Sequence, residues 1–313
     1  MNDLARLVVI LGPTASGKSE LGIRLAERLD GEILVCDSTQ VYRHFDIGTG
    51  KVPPAEQRGV PHHLVDIVEP EEVFTAGQYR QCALNVLADL RRRAKLPIIT
   101  AGTGLYLRAL LEGLADAPTR SEELRQRLRE RVKRLGATSL HRLLARLDSE
   151  AARRIAVRDT QKVIRAIEMR VLAGKPIREI HRSGRSPLQG YDVLKIGLLP
   201  PRDQLYSRIN ARVEAMMAAG WAGEVRGLIR KGVPAGAKPF QFIGYSELRE
   251  QIEGGRDPAG AISTIQQATR QFAKRQITWF RKETGVHWLT GFGEDADISS
   301  TALELAKTSG QSA

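Results

Sequence analysis

The sequence predicts an α/β protein, with a doubly wound parallel-sheet core interrupted by a basic helical insertion. Three observations predict it. Over the first 116 residues, short Val- and Ile-rich runs alternate with glycine-rich turns and helical periodicity, which is the pattern of strand, turn and crossover helix. From Ala117-Pro118-Thr119 to about His181 that pattern gives way to helix after helix, dense in arginine. A strand-like run over 192–199 then returns the chain to the sheet.

Taken in order, Leu4 to Leu11 reads as a buried parallel strand ending at Gly12-Pro13, since both faces are apolar. Lys18 to Leu29 reads as a helix, with Leu21, Leu25 and Leu29 on one stripe. Ile33 to Cys36 is a second strand that stops at Asp37-Ser38. Residues 43–72, rich in Gly, Pro and polar groups, predict a loop with one short strand at Leu64-Val65. Thr75 to Ala94 is helical, Pro97 to Thr100 is a third strand, and Gly102-Thr103-Gly104 opens a helix to Leu111. After the insertion, Asp192 to Leu199 reads as a strand and Pro200-Pro201 starts a long helix. Helices over 222–230 and 259–282 and a last strand at His287-Trp288-Leu289 follow. The expected division is a core of 1–117 plus 185–292, an insertion of 118–184, and a weakly patterned tail of 293–313.

The chain has 313 residues, 42% hydrophobic and 27% charged, enough apolar content for a sizeable core and too much for a disordered chain. No run approaches the ~18 apolar residues of a membrane helix, and the first residues lack the features of a secretion signal. The two cysteines, Cys36 and Cys82, support neither a disulfide framework nor a C-x-x-C zinc site. A cytoplasmic protein without membrane attachment is expected. The net charge of +12 is unevenly spread: residues 1–116 carry 13 basic and 15 acidic side chains, residues 117–313 carry 35 and 21. A neutral head joined to a strongly basic remainder points to a polyanionic partner such as nucleic acid.

Gly12, Pro13, Thr14, Ala15, Ser16, Gly17, Lys18 and Ser19 satisfy G-x-x-x-x-G-K-[ST] between a predicted strand and a predicted helix, the context that makes the motif a phosphate-binding loop. The predicted core is therefore P-loop NTPase-like. Backbone amides and the helix N-terminus would surround phosphate oxygens, Lys18 would add a cation, and the Ser19 hydroxyl suits Mg²⁺. The loop implies a bound diphosphate or triphosphate, ATP among the candidates. Asp37, at the end of the second strand, fits a metal partner, a general base, or a turn cap. His62-His63 reads as loop or pocket, because neighbouring residues of an extended chain point to opposite sides.

Beyond these motifs, the chain resembles the tRNA dimethylallyltransferases (tRNA isopentenyltransferases) of the bacterial type. The resemblance rests on GPTASGKS (12–19), DSTQVY through DIGTGK (37–51), PHHLVDIVEP (61–70), GTGLYLRALLEGL (102–114), DTQKVIRAIE (159–168), FIGYSEL (242–248) and AKRQITWFR (273–281). Ala101, Gly50 and Lys162 depart mildly from the commonest family residues, and no zinc-finger extension is present. The resemblance implies transfer of a dimethylallyl group from dimethylallyl diphosphate to N6 of adenine-37 in tRNA, with Mg²⁺ as cofactor and a single chain as the active unit. It implies Asp37 as general base, with Thr14 and Arg212 as the other catalytic residues and Arg208 as a further diphosphate ligand. It implies tRNA contacts from Asp37, Ser38, Thr39, Gln40, Thr103, Arg125, Gln161, Lys162, Val163, Ile164, Arg165, Lys274, Arg275 and Gln276. A small-molecule kinase or an AMP-directed prenyltransferase is the alternative; neither uses the basic half.

Overall fold

A computed structural model describes residues 4–115, 117–182, 184, 186–254 and 258–309. The first unit, Met1–Leu110 with Gln189–Ala313, is built on six parallel strands: β1 (Ala5–Leu11), β2 (Gly31–Cys36), β3 (His62–His63), β4 (Leu96–Ala101), β5 (Tyr191–Leu198) and β6 (Val286–Leu289), in the order β3-β2-β4-β1-β5-β6. Leu7, Val9 and Leu11 of β1 face one side of the sheet and Val8 and Ile10 the other, all essentially buried. This explains why the strand reads as a continuous apolar run. Helix α1 (Lys18–Leu29) covers the Val8 and Ile10 face through Leu21 and Leu25. Helices α2 (Ala76–Arg92), started by a Thr75–Gln78 capping box, and α3 (Gly104–Glu112) complete the first crossovers.

The second unit, Leu111–Leu188, holds α4 (Glu122–Leu147), which breaks at Gly136, then α5 (Ser149–Arg154), α6 (Thr160–Ala173) and α7 (Ile177–Arg182). Its core joins Leu128, Leu140 and Leu144 of α4 to Val163, Ile164, Ile167 and Met169 of α6. The first unit resumes with α8 (Arg202–Ala218), α9 (Trp221–Arg230), α10 (Tyr245–Gly254), α11 (Pro258–Phe280) and α12 (Ala296–Thr308). No helix of the described residues is long and apolar enough to cross a membrane.

The structure departs from the sequence expectations in three places. The short strand pairs through His62 and His63 with Ile33 and Leu34 rather than forming at Leu64-Val65; Leu64 has φ +66°, which ends extended backbone. Helix α10 adds an element that the sequence reading leaves out. The segment read as a weakly patterned tail contains α12, whose Ile298, Ala302 and Ala306 enter the same core as Leu21 and Leu25.

Inside the second unit, Glu168 is fully buried. Arg125 bonds it through two nitrogens, at 2.7 and 2.8 Å. Arg165 adds a third charged hydrogen bond at 2.5 Å and the Ser121 amide a fourth bond at 2.9 Å. Burial alone would raise the Glu168 carboxyl; the two guanidinium groups and the amide bring it down to about 2. Because the folded value lies below the ordinary one, this contribution is complete above the usual carboxylate range and fades as pH falls toward 2. Arg125→Ala should destabilise the protein by about 3 kcal/mol at neutral pH, measured by chemical denaturation, with a smaller deficit near pH 3. An unchanged midpoint would contradict the structural role.

Candidate active site

The phosphate loop leaves β1 at Leu11 and enters α1 at Lys18, with Gly17 at φ +84°. A side chain at Gly17 would meet the backbone of Gly293 at 2.6 Å and the carboxylate of Glu294. No side chain caps the start of α1, so its first amides remain directed at an anion site. Within the loop the Ser16 hydroxyl is buried without a hydrogen-bond partner, as suits a group awaiting a phosphate oxygen. Lys18 folds back to donate to Pro13 O at 2.7 Å. Burial lowers its ammonium to about 8, opposed by the Asp37 carboxylate and assisted by Arg212. Ala15 packs with Leu205 and Ile209 of α8, Ala273 of α11 and Phe292, and this seam brings both helices against the loop.

Asp37 follows β2. One carboxylate oxygen accepts from the amide and hydroxyl of Thr39, at 2.8 and 2.7 Å. The other lies over Gly102, where a Cβ would come within 2.5 Å of it; only glycine leaves the carboxylate this position. The amides of Gly102 and Thr103 both donate to Cys36 O at 3.0 Å. The Thr103 hydroxyl accepts from the Ser38 amide at 2.9 Å. Gln40 donates through Nε2 to the carbonyls of Thr49 and Gly50. Thus Asp37, Ser38, Thr39, Gln40 and Thr103 form one wall. Cys36 behind it is an inert thiol, pushed up to about 12 by burial.

Arg212 of α8 reaches Gly50, and burial, reinforced by Arg208 and opposed by Asp37, lowers its guanidinium from the usual value. Arg208 stands one turn earlier on the same helix, close enough for its charge to act on Arg212. Its guanidinium pairs with Glu294 and lies 4.6 Å over the Phe292 ring. Sequence reasoning missed Glu224, whose Oε2 accepts from the amides of Asp46 and Ile47 at 3.0 and 2.9 Å. Its Oε1 accepts from the Tyr245 hydroxyl at 2.6 Å, which in turn accepts from the Gly48 amide. Trp221 packs against Gly48 and Gly244. DIGTGK and FIGYSEL therefore meet as one scaffold under Arg212. The available signal is Trp221 three residues before Glu224 at the start of an amphipathic helix.

Among the residues assigned to RNA, Gln161, Lys162, Lys274 and Arg275 are exposed. Val163 and Ile164 are 0% and 3% exposed in the core of the second unit, so their side chains are packing residues, a correction to the expectation. Arg125 and Arg165 are likewise engaged by Glu168. Gln276 is buried, bonded to Thr14 and Gly102.

A parallel sheet whose first strand runs through a G-x-x-x-x-G-K-S loop into a helix, with a carboxylate at the end of the next strand, has the fold of a P-loop α/β protein. The profile of the IPP transferase family matches residues 40–283, and the chain belongs to that family. The tRNA dimethylallyltransferase of Solibacter usitatus is 50% identical over 97% of this chain and 99% of its own length. That of Koribacter versatilis is 49% identical over 97% and 98%. The full-length tRNA isopentenylpyrophosphate transferase of Bacillus halodurans superposes with a TM-score of 0.71 at 35% identity, covering 98% of each chain. A eukaryotic dimethylallyltransferase captured acting on tRNA gives 0.78 at 25% identity, over 97% of this chain and 78% of that one.

Lys18 yields a pH test. Holding an anion requires its proton, and in the free protein the proton leaves near pH 8. Affinity for a diphosphate monoester, measured by calorimetry, should therefore fall above pH 8 by up to about tenfold per unit. Lys18→Met should bind weakly and without that slope; a flat wild-type profile would contradict the assignment.

Proposed function

We propose that this chain transfers a dimethylallyl group from dimethylallyl diphosphate to N6 of adenine-37 in tRNA, in the cytoplasm and as a single chain. The observation that carries the reading is the position of Asp37, a carboxylate held over Gly102 and coupled electrostatically to Lys18 of the phosphate loop. The arrangement gives one cleft a proton acceptor and a grip on a leaving diphosphate.

In this reading the loop amides, Lys18 and Arg212 hold the diphosphate, with the Thr14 hydroxyl beside it. The lone pair of N6 attacks C1 of the prenyl group. The C1–O bond breaks with its electron pair going to the diphosphate, and the N6 proton passes to the Asp37 carboxylate. Fixed positive groups stabilise the charge that develops on the leaving oxygen. The target base is unstacked from the anticodon loop to reach Asp37, and the wall of Ser38, Thr39, Gln40 and Thr103 faces its edge.

Mg²⁺ fits this donor set, because it keeps several waters and takes phosphate oxygens with one or two protein oxygens. Among the described residues no group of three or more His, Cys, Asp or Glu forms a cage, so Ser19 Oγ would be the protein oxygen that holds it alongside the diphosphate. When bound, the ion neutralises charge on the leaving group.

Exposed arginines of the second unit, among them Arg142 and Arg146 on α4, suit the phosphates of the anticodon stem. Reversing both should weaken tRNA binding and reduce the slope of log K against log salt by about 1.5–2; an unchanged slope would remove them from the RNA surface. The reading as a whole is tested with purified protein, Mg²⁺, labelled dimethylallyl diphosphate and unmodified tRNA, followed by nucleoside analysis. Label on N6 of adenine-37, and none on AMP in a parallel reaction, is expected. Phosphoryl transfer or label on AMP would overturn it.

A further inference from the structure

Gln276 lies on α11, a helix whose neighbouring side chains Lys274 and Arg275 face solvent, yet it is only 5% exposed. Its primary amide is used at both ends. Oε1 accepts from the Thr14 amide at 2.8 Å, and Nε2 donates to Gly102 O at 2.8 Å. Thr14 belongs to the phosphate loop after β1, and Gly102 to the turn after β4 on which the Asp37 carboxylate rests. These two strands are neighbours, with Leu11 and Ala101 paired. One side chain therefore spans the half of the cleft that grips the diphosphate and the half that carries the proton acceptor. The orientation is fixed, because turning the amide over would set two donors together at Thr14 and two acceptors together at Gly102. The Thr14 amide is also engaged by this bond, so the diphosphate is left to the amides from Ala15 onward and to the Thr14 hydroxyl.

We propose that Gln276 is a positioning residue for the transfer reaction, setting the distance between the leaving-group site and Asp37, rather than a contact to RNA. The inference rests on the prenyl-transfer reading above. It accounts for a glutamine at this place: asparagine is one methylene too short to reach both partners, and a carboxylate would face the Gly102 carbonyl with no proton to share. A protonated glutamic acid, by contrast, reproduces the pair, with its O–H toward Gly102 and its C=O toward the Thr14 amide.

That equivalence supplies the test. Single-turnover transfer, tRNA Kd and diphosphate Kd are measured for wild type, Gln276→Ala and Gln276→Glu between pH 5.5 and 8.5, with thermal unfolding as a check on folding. Gln276→Ala should lower the single-turnover rate by about 10- to 100-fold, with both Kd values within about twofold and a pH-independent ratio to wild type. Gln276→Glu should approach wild type at the acid end and fall to the alanine level at the alkaline end, with the slope of one proton. Asp37, Lys18 and Arg212 face this region from the end of β2, from α1 and from α8, and Lys274 and Arg275 precede it on α11; Gln276→Ala carries the same groups without a new carboxylate, so its profile is the reference against which the Gln276→Glu slope is read. If Gln276→Ala fails to fold, the pH-dependent recovery of Gln276→Glu still decides the matter. A rise in tRNA Kd with an unchanged rate would make Gln276 an RNA contact and overturn the inference. So would a Gln276→Glu ratio that does not change with pH. Absence of transfer by wild type would overturn the functional reading and this inference together, whereas active wild type and equally active variants overturn the inference alone.

Discussion

The site depends on one rung of the parallel sheet. Leu11, Ala101 and Cys36 stand side by side as the last paired residues of β1, β4 and β2, so Gly12, Gly102 and Asp37 leave the sheet at one level. Because alternate residues of a strand face opposite sides, a slip of one residue in either pairing would take Asp37 out of level with the loop and exchange the side chains fitted to the two packed faces. The Val- and Ile-rich strands guard against that slip, since both faces of the sheet are packed. The amide bonds from Gly102 and Thr103 to Cys36 O then lock the turn beneath Asp37. The geometry of the candidate site is inherited from core packing.

Charge is layered on that frame. Lys18 and Arg212 are both half-buried where desolvation makes their positive charge costly, and the nearby Asp37 compensates only in part. Such a site favours an incoming anion, because the anion relieves repulsion that the free protein carries. Arg208 has a second part in the frame: its pairing with Glu294 and its stacking on Phe292 fasten the segment after β6 to α8, and the Gly293 amide of that segment donates to Ser16 O of the phosphate loop. The helix that follows, α12, is thereby packed into the same unit as the phosphate loop.

Much of this is legible from residues alone, and the reasons for the gaps are physical. The phosphate loop and Asp37 declare themselves because their chemistry needs particular residue types at a strand end. The alternation of apolar runs declares the sheet. Helix α12 is harder to read, since Ile298, Ala302 and Ala306 form a narrow stripe among Ser and Thr and acquire meaning only when α1 is placed beneath them. The short strand ends at His63, before a positive φ at Leu64 that no local propensity signals. In the second unit a motif shared with a family does not distinguish inward from outward positions. Val163, Ile164 and Ile167 carry the apolar spacing of a core face, and Arg125 and Arg165 serve Glu168 beneath them. Gln276 is the sharpest case, because a polar residue directly after two exposed cations reads as surface until Thr14 and Gly102 are seen on either side of it.

In the proposed reaction Asp37 takes the proton from the attacking nitrogen, in a cleft otherwise complete without it. The measurement that tests it most directly is the single-turnover rate of Asp37→Asn, taken together with its equilibrium affinities for tRNA and dimethylallyl diphosphate. A rate reduced by about 10²- to 10⁴-fold, with both affinities near wild type, is the expected result. A near-normal rate, or a loss explained by weakened tRNA binding, would contradict it.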